Sequence, residues 1–339
     1  MIFDQKVGEI DFRIGSLSVD APSVLAPLSG VTDAVFRRIV RRLGAGLVVS
    51  EMVASDELVK GSAEAWLRAE GSGIEPHVVQ LAGCEPHWMA EAAKVAESSG
   101  ARIIDINMGC PAKRVIGGYA GSALMRDLDH ASRLIDATVS AVCVPVTVKM
   151  RLGWDDATLN AADLARRAES LGVQAVTVHG RTRQQFYKGS ANWAAIGAVS
   201  ASVAIPVIAN GDVATLADAR RCLTESAAAA VMIGRAAIGQ PWLVAQVGAG
   251  LRGRPIQTPE PEERASLAVE HYEGLLSLYG IETGIRHARK HLAAYAEVAL
   301  SDGFDVTPDM RRSIVTSENP AVVTALLRAL YKDRARAAA

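Results

Sequence analysis

Eight short apolar runs, rich in valine and isoleucine, recur before residue 240, and they constrain this chain more than any other feature. They are "SVLAP" (23–27), "GLVVSE" (46–51), "HVVQLA" (77–82), "RIIDIN" (102–107), "PVTVKMR" (145–151), "AVTVHG" (175–180), "IPVIANG" (205–211) and "AAVMIG" (229–234). Most of the intervals between them carry Ala-, Leu-, Arg- and Glu-rich stretches with helical spacing, such as "PHWMAEAAKVAESSG" and "NAADLARRAESLG". Glycines at 44, 100 and 172 stop several of these helices. Strand–helix alternation repeated eight times predicts an α/β fold, a (β/α)8 TIM barrel. A doubly wound open sheet is the structural alternative that periodicity alone leaves open. Half of the residues are hydrophobic and only 5% aromatic, as an aliphatic barrel core requires.

Alternation within the strands predicts where the chemistry lies. Residues two apart share a face of a strand. Val49 with Glu51, Val78 with Gln80, Ile103 with Asp105 and Asn107, Thr147 with Lys149 and Arg151, and Thr177 with His179 form such series. Each carries a polar residue near the C-terminal end of its strand. Polar groups inside a barrel are costly unless they meet a ligand or one another, and at that end of a barrel they mark an active site. The last two strands run into "NGD" (Asn210, Gly211, Asp212) and "GR" (Gly234, Arg235). Loops at these ordinal positions cradle phosphate groups with glycines and backbone N–H groups, and an arginine adds fixed charge. A phosphorylated cofactor or substrate is therefore expected. No GxGxxG or P-loop motif supports a Rossmann or Walker site.

The fourth strand leads into "DINMGCPAK" (105–113), which sets Cys110 just past a strand end. A buried small hydrophobe, a metal ligand, a redox thiol and a catalytic group are all open there. Four scattered cysteines with no CxxC pair argue against a zinc ribbon or a disulfide framework, and fit a reducing compartment. Cys84, Cys143 and Cys222 are expected to be packing residues. The formal net charge of −1 advertises no nucleic-acid or membrane partner through a global field. The start is too acidic and mixed for a signal peptide, and no apolar run is long enough for a membrane helix, so a cytoplasmic protein without a membrane partner is expected. After about residue 245, "GAGLRGRPIQTPEPEE" has the texture of a linker, and the remainder of the chain has helical patterning. The chain therefore divides into a barrel over 1–245 and a linker with three or four helices over 246–339. From Leu251 onward 12 basic residues balance 12 acidic ones, so the helical part is not basic on average. "RHARKH" (286–291) is a local cationic patch, and "RRIVRR" (37–42) is a second, on the helix after the first strand.

Taken together, "APLSGVTDAVFR", "SEM", "VQLAG", "DINMGCPAK" with "AGSALM", "VTVKMRLGW", "VHGRTRQQFYKGSANW", "PVIANGDV" and "MIGRAAIGQPW" resemble the tRNA-dihydrouridine synthases, and most closely the bacterial B-type branch. "YGIETGIRHARKHLAAY" resembles that family's C-terminal helical domain. The resemblance implies an FMN-containing TIM barrel with a helical tRNA-binding domain that uses NADPH to reduce uridine in tRNA to 5,6-dihydrouridine. It implies Pro27, Leu28 and Ser29 against the flavin, and Gln80 and Lys149 on the isoalloxazine edge. His179, Asn210, Gly211, Asp212, Gly234 and Arg235 would surround the ribityl chain and phosphate. Asn107 would orient the uracil and Cys110 would be the proton donor, since a free thiol of ordinary pKa is protonated at neutral pH. Arg151, Arg181, Arg286 and Lys290 are the further expected tRNA contacts, with Arg181 alternatively bracing its loop. Glu51 is expected either at the substrate or paired with Lys149 or Arg151. No metal is expected, and the protein is expected to act as a monomer. The chain departs from the family pattern in having "APLSG" where "APMAG" is commoner, and "HLAAY" where a Trp usually precedes the Tyr. Two rival classes remain: an FMN barrel acting on free pyrimidines, as dihydroorotate and dihydropyrimidine dehydrogenases do, and an RNA-binding protein in which catalysis is incidental. The helical segment with "RHARKH" argues against the first.

Overall fold

The structure, a computed structural model, describes residues 12–333. The outer ends of the two expected domains, with the acidic leader and the "RARAAA" tail, lie outside the described residues. Ten strands are assigned among the described residues: β1 (Phe12–Ile14), β2 (Leu17–Val19), β3 (Ser23–Leu25), β4 (Leu47–Ala54), β5 (Val78–Ala82), β6 (Ile103–Met108), β7 (Val146–Arg151), β8 (Ala175–His179), β9 (Val207–Asn210) and β10 (Ala230–Ile233). Strands β3 to β10 pair in parallel in sequence order, and β10 returns to β3, closing a barrel. All eight apolar runs supply a barrel strand, and closure excludes the open sheet.

The two strands that the sequence pattern does not announce, β1 and β2, form an antiparallel hairpin turning at Gly15, whose φ of +59° suits glycine. Phe12, Ile14 and Val19 of this hairpin join Val24, Leu47, Val78, Ile103, Ile208 and Ala230 in one buried cluster. These last six sit at or near the starts of their strands, so the hairpin plugs the barrel's N-terminal mouth and leaves the other mouth for ligands. A second cluster lies between the strands and the surrounding helices. It pairs strand residues such as Val48, Val79, Ile104, Val148 and Val176 with helix residues such as Met89, Leu134, Leu164 and Ile196. The helix stops at Gly44, Gly100 and Gly172 have φ of +112°, +97° and +96°, as expected for left-handed or near-left-handed terminal glycines.

The boundary expected at residue 245 falls inside a helix, Leu243–Leu251. Leu243, Val244, Val247 and Leu251 are buried in the barrel's outer core, which makes this the helix that completes the eighth β/α unit. The linker proper is the irregular stretch 252–260. Beyond it four helices, Pro261–Tyr279, Ile281–Ser301, Pro308–Thr316 and Pro320–Ala329, enclose their own core around Tyr272, Tyr295, Phe304, Ile314 and Leu327.

The helical unit does not hang from the linker. Val35 and Ile39, on the helix Ala34–Arg42 after β3, pack with Trp242 and Leu267 in a shared apolar cluster. Arg42 makes a bidentate pair with Glu270. Glycines let the backbones meet. A Cβ at Gly239 would lie 2.5 Å from the backbone of Ala294, and one at Gly274 would lie 2.5 Å from Val35. Gly239 also has a φ of +80°. Gly239→Ala is therefore expected to cost about 1–3 kcal/mol through overpacking, lowering the melting temperature by on the order of 2–6 °C in a thermal unfolding scan. An unchanged melting temperature would mean that the seam yields without cost.

Candidate active site

The C-terminal mouth of the barrel opens into a cavity of about 890 Å³. Its wall brings together most of the residues singled out from the sequence: Pro27, Leu28 and Ser29 after β3, Gln80 on β5, Asn107 on β6, Cys110 just beyond, Lys149 and Arg151 on β7, and His179 on β8. Asn210, Gly211 and Asp212 at and after the end of β9, and Gly234 and Arg235 after β10, complete it. Residues from seven β/α units thus converge on one space, because they lie on inward-facing positions of the strands or in the first few positions after them.

One hydrogen-bonded chain crosses the top of the barrel. Thr147 Oγ1 donates to Asp105 Oδ1 at 2.6 Å, and Gln80 Nε2 donates to Asp105 Oδ2 at 2.6 Å. Asn107 Nδ2 donates to Gln80 Oε1 at 2.8 Å. Asn107 Oδ1 in turn accepts the backbone N–H groups of Gly109 and Cys110, at 3.2 and 3.0 Å. The turn that presents the thiol is therefore held from inside the barrel. It is braced from outside as well, since the Cys110 carbonyl accepts the N–H of Ser122 at 3.0 Å and its hydroxyl at 2.8 Å. Gly121 is required there: a Cβ on it would lie 2.8 Å from the Cys110 carbonyl oxygen, and its φ is +59°.

Lys149 is buried beside this chain, and no described residue hydrogen-bonds its ammonium or pairs with it. Burial, reinforced by the neighbouring Arg151, pushes its pKa down to about 8, while Asp105 opposes the shift. Burial raises the Asp105 carboxyl, against the bonds from Thr147 and Gln80. An unpaired buried cation facing a cavity is a place for anionic or strongly accepting ligand atoms. His179 is held neutral, its pKa driven well below the ordinary value by burial and then by Lys149, Arg151, Arg181 and Arg235.

Arg151 and Arg181 take architectural positions. Arg151 is 1% exposed; its Nε donates to the Gly109 carbonyl at 2.8 Å, and its Nη1 to the carbonyls of Thr182 and Phe186, both at 2.9 Å. It clamps the cysteine turn to the loop after β8 while keeping a face on the cavity. Arg181, 2% exposed, makes a bidentate pair with Asp212 at 2.9 and 2.6 Å and donates to the carbonyls of Lys188 and Gly189. This is the bracing alternative for Arg181; it is absent from the cavity wall. Asp212 is engaged in the same pair, and Arg235, 62% exposed along its side chain, stands 3.6 Å from Asp212 Oδ1. Gly211 has a φ of +118°, and a Cβ there would strike Ala191 and His179, so glycine is what lets this turn pack against them in the cavity wall.

Glu51 does not pair with Lys149 or Arg151. A register shift between Val49 and Met52 in β4 breaks the alternation, Met52 lines the cavity, and Glu51 accepts the N–H of Gly30 in the loop after β3. Two cavity-side aromatics also escape a reading of the sequence. Tyr187 stacks over Arg151 and Arg235, with ring-to-guanidinium distances of 5.6 and 5.2 Å, and Phe186 meets it edge-on. Only the dipeptide's place in the loop that follows His179 hints at this. Away from the cavity, Arg286 is exposed and pairs with Glu282 on its own helix. Lys290 reaches the rim: its Nζ lies 3.1 Å from where a Cβ of Gly30 would be. Cys222 is buried as expected, Cys84 is half-buried, and Cys143 is exposed.

A closed parallel barrel with polar and cationic groups gathered at its C-terminal mouth has the form of a TIM-barrel enzyme. The chain belongs to the tRNA-dihydrouridine synthase family: the dihydrouridine synthase (Dus) family pattern matches residues 24–334. It is 56% identical over 311 residues to a probable tRNA-dihydrouridine synthase of Rhizobium leguminosarum bv. phaseoli, covering 92% of this chain and 95% of that one. It is 44% identical to tRNA-dihydrouridine synthase B of Xanthomonas axonopodis pv. citri, covering 93% and 94% of the two chains. Among solved structures, morphinone reductase in complex with tetrahydroNAD superposes with a TM-score of 0.52 at 16% identity, over 76% of this chain and 94% of that one. The old yellow enzyme homologue of Zymomonas mobilis gives 0.53 at 14% identity, over 73% and 93%. At such identity these two establish the shared barrel alone. No helix among the described residues is long and apolar enough to cross a membrane.

The Lys149 environment yields a measurable outcome. In the ligand-free protein carrying labelled lysine, one side-chain NMR signal should titrate near pH 8, well below the others. Asp105→Asn should move that signal lower still, because the carboxylate favours the ammonium. A signal that stays in the usual lysine range would refute a desolvated, unpaired Lys149.

Proposed function

We propose that this synthase binds FMN in the barrel-mouth cavity and uses NADPH to reduce uridines of tRNA to 5,6-dihydrouridine. The observation that carries the reading is the convergence of a half-buried thiol, an unpaired buried ammonium and glycine-built loops on one cavity. The chemistry of these groups fits a flavin mononucleotide. Pro27, Leu28 and Ser29 offer a largely apolar bed for a ring system. Gln80 and Lys149 would hold its polar atoms, where a cation would stabilise the negative charge of the reduced ring. His179, Asn210, Gly211, Gly234 and Arg235 would hold the ribityl chain and phosphate. Asp212 acts by positioning: it fixes Arg181 and draws Arg235 to the rim.

When bound, FMN supplies the hydride that goes to C6 of the uracil, and NADPH restores it. The protein supplies the rest. Cys110 holds the proton that goes to C5, so the two-electron reduction is balanced by one hydride and one proton. The S–H bond breaks as the C5–H bond forms, and solvent reprotonates the half-buried thiolate. Asn107 acts first on the enzyme itself, setting the Cys110 turn through its carbonyl oxygen, and the wall it forms next to that turn orients the uracil. Arg151 fixes the opposite side of the same turn. The uracil leaves its stack to reach the cavity, a cost that is smallest in a loop of the tRNA. Lys290 at the rim and Arg286 further out on the same helix contribute phosphate contacts, whose strength falls as salt rises.

Cys110→Ala is expected to lower dihydrouridine formation at least about 100-fold, the usual scale for loss of a general acid, while leaving the yellow colour of the protein and its tRNA affinity within about twofold. The loss is read by mapping dihydrouridine in tRNA incubated with the variant, the colour by absorbance and the affinity by titration with tRNA. Persistent modification by the variant would remove Cys110 from the proton-transfer role, and a wild-type preparation that takes up no FMN would remove the flavin.

A further inference from the structure

Behind the rim loop after β3 lies a buried polar cluster that the chemistry above does not use. Asp33 caps the helix Ala34–Arg42, its Oδ1 accepting the N–H groups of Val35 at 2.9 Å and Phe36 at 3.1 Å. Its other oxygen points across the seam between barrel and helical unit to His271 Nε2, 3.9 Å away. His271 is fully buried; its Nδ1 lies 3.1 Å from the Tyr295 hydroxyl, and its Nε2 has no closer partner among the described residues. His291, 2% exposed, stands edge-on to His271 with ring centroids 4.4 Å apart, and neither of its nitrogens is hydrogen-bonded by a described residue. Phe36 covers both rings.

The three groups could face a metal ion, since their ligand atoms lie within 4.8 Å of one another. They supply three ligands, one short of the four protein ligands of a closed structural zinc site. Their placement points elsewhere. Asp33 ends the loop whose residues 27–29 and 31 line the cavity. His291 and Tyr295 sit on the helix Ile281–Ser301, which touches the cavity's rim twice more. Lys290 lies against Gly30, whose N–H is held by Glu51. Ala294 meets the backbone at Gly239, in the segment just past Arg235. One helix of the helical unit thus bears on both loops that flank the cofactor position, after β3 and after β10. The pin is the Asp33 carboxylate facing the imidazole of His271, which stands on the neighbouring helix Pro261–Tyr279 and is tied to the helix Ile281–Ser301 through the Tyr295 hydroxyl.

We infer that Asp33 and His271 are a pair of positioning residues that set the register of the helical unit against the rim loop, and so control delivery of tRNA to the cavity without taking part in reduction of the cofactor. The polar cluster is costly to bury, and apolar residues would serve packing alone as well. Asp33 is oriented by its two cap bonds and His271 by the Tyr295 hydroxyl, so the carboxylate facing the ring at 3.9 Å favours one register where apolar contacts leave it free. The inference rests on the flavin and tRNA reading above.

The test separates two half-reactions in the holoenzyme. Flavin reduction by NADPH is followed by stopped-flow absorbance, and reoxidation of the dithionite-reduced enzyme by tRNA is followed anaerobically. Asp33→Asn keeps the helix cap, since Asn caps as well as Asp, and removes the charge facing His271. With His271→Gln it forms a double-mutant cycle. Each single variant is expected to slow reoxidation by tRNA about 10- to 100-fold, the scale of a misplacement of around an ångström, with flavin reduction within about twofold of wild type. The double variant should be no slower than the worse single one. Parallel loss in both half-reactions, fully additive effects, unchanged reoxidation, or a stoichiometric metal ion in the wild-type protein would each overturn the inference. A wild-type enzyme that holds no flavin or is not reoxidised by tRNA would instead defeat the reading on which it rests. Should His271→Gln fail to fold, Asp33→Asn alone still decides through the contrast between its two rates.

Discussion

The site depends on one buried carboxylate. Asp105 is almost wholly shielded from solvent inside the barrel, beneath the cavity, where an ionised group without partners would be costly. Thr147 and Gln80 each give it a short hydrogen bond, and the Lys149 ammonium stabilises it through space. Because Gln80 is tied to Asp105, its carbonyl oxygen is aimed at Asn107. Because Asn107 is tied to Gln80, its own oxygen is aimed at the N–H groups of the Cys110 turn. A chain of amides relays the direction of a barrel strand to a thiol several residues beyond it. Such a chain is expensive when half satisfied and rigid when complete, and it holds the Cys110 turn in one place.

The outer half of the site is built from loops that arginines hold in place. Arg151 reaches out of β7 and ties the cysteine turn to the loop after β8 through three backbone carbonyls. Arg181 ties that loop to the turn after β9 through Asp212. Neither arginine is free to reach for a phosphate at a distance. Both carry charge into low-dielectric surroundings, where burial pulls the Arg151 pKa down to about 10, still well above neutral pH. Their cost is offset by the order they impose on glycine-containing loops.

Much of this is legible in the chain itself. The eight apolar runs are the eight barrel strands, and the period-two series put Gln80, Asn107, Lys149 and His179 at the cavity, since side-chain alternation is a local property of an extended backbone. What escapes depends on contacts between distant segments. Glu51 lies two residues after Val49, yet a bulge in β4 turns it to Gly30, and no local pattern announces a bulge. The hairpin of β1 and β2 has three-residue strands, too short for periodicity to register. Arg181 is undecided between ligand and brace in the sequence because its partner, Asp212, is 31 positions away and only the closed barrel sets them side by side. The helix Leu243–Leu251 is hidden by its glycines: Gly248 and Gly250 give the texture of a linker, but they are buried contact points against Ser23 and Leu216.

A nearly neutral chain can still present an attractive mouth to an anion, and the arrangement of its charges shows how. Asp105 and Asp212 are both engaged by hydrogen bonds from within the protein. Arg181 is held by Asp212, and His179 is kept neutral by burial and the cations around it. The charge left facing the cavity is that of Lys149 and Arg151 in the interior and Arg235 at the rim, with Lys290 approaching from the helical unit. Lys149 stays mostly protonated at neutral pH in the empty site, but with its pKa near 8 it holds its proton far less firmly than an ordinary lysine. Any anion placed beside it raises that value and stabilises itself in doing so, because the same interaction favours the ammonium and the ligand together. Desolvation thus makes the deepest cation the most responsive one, while Arg235 stands exposed at the rim, where a ligand first arrives.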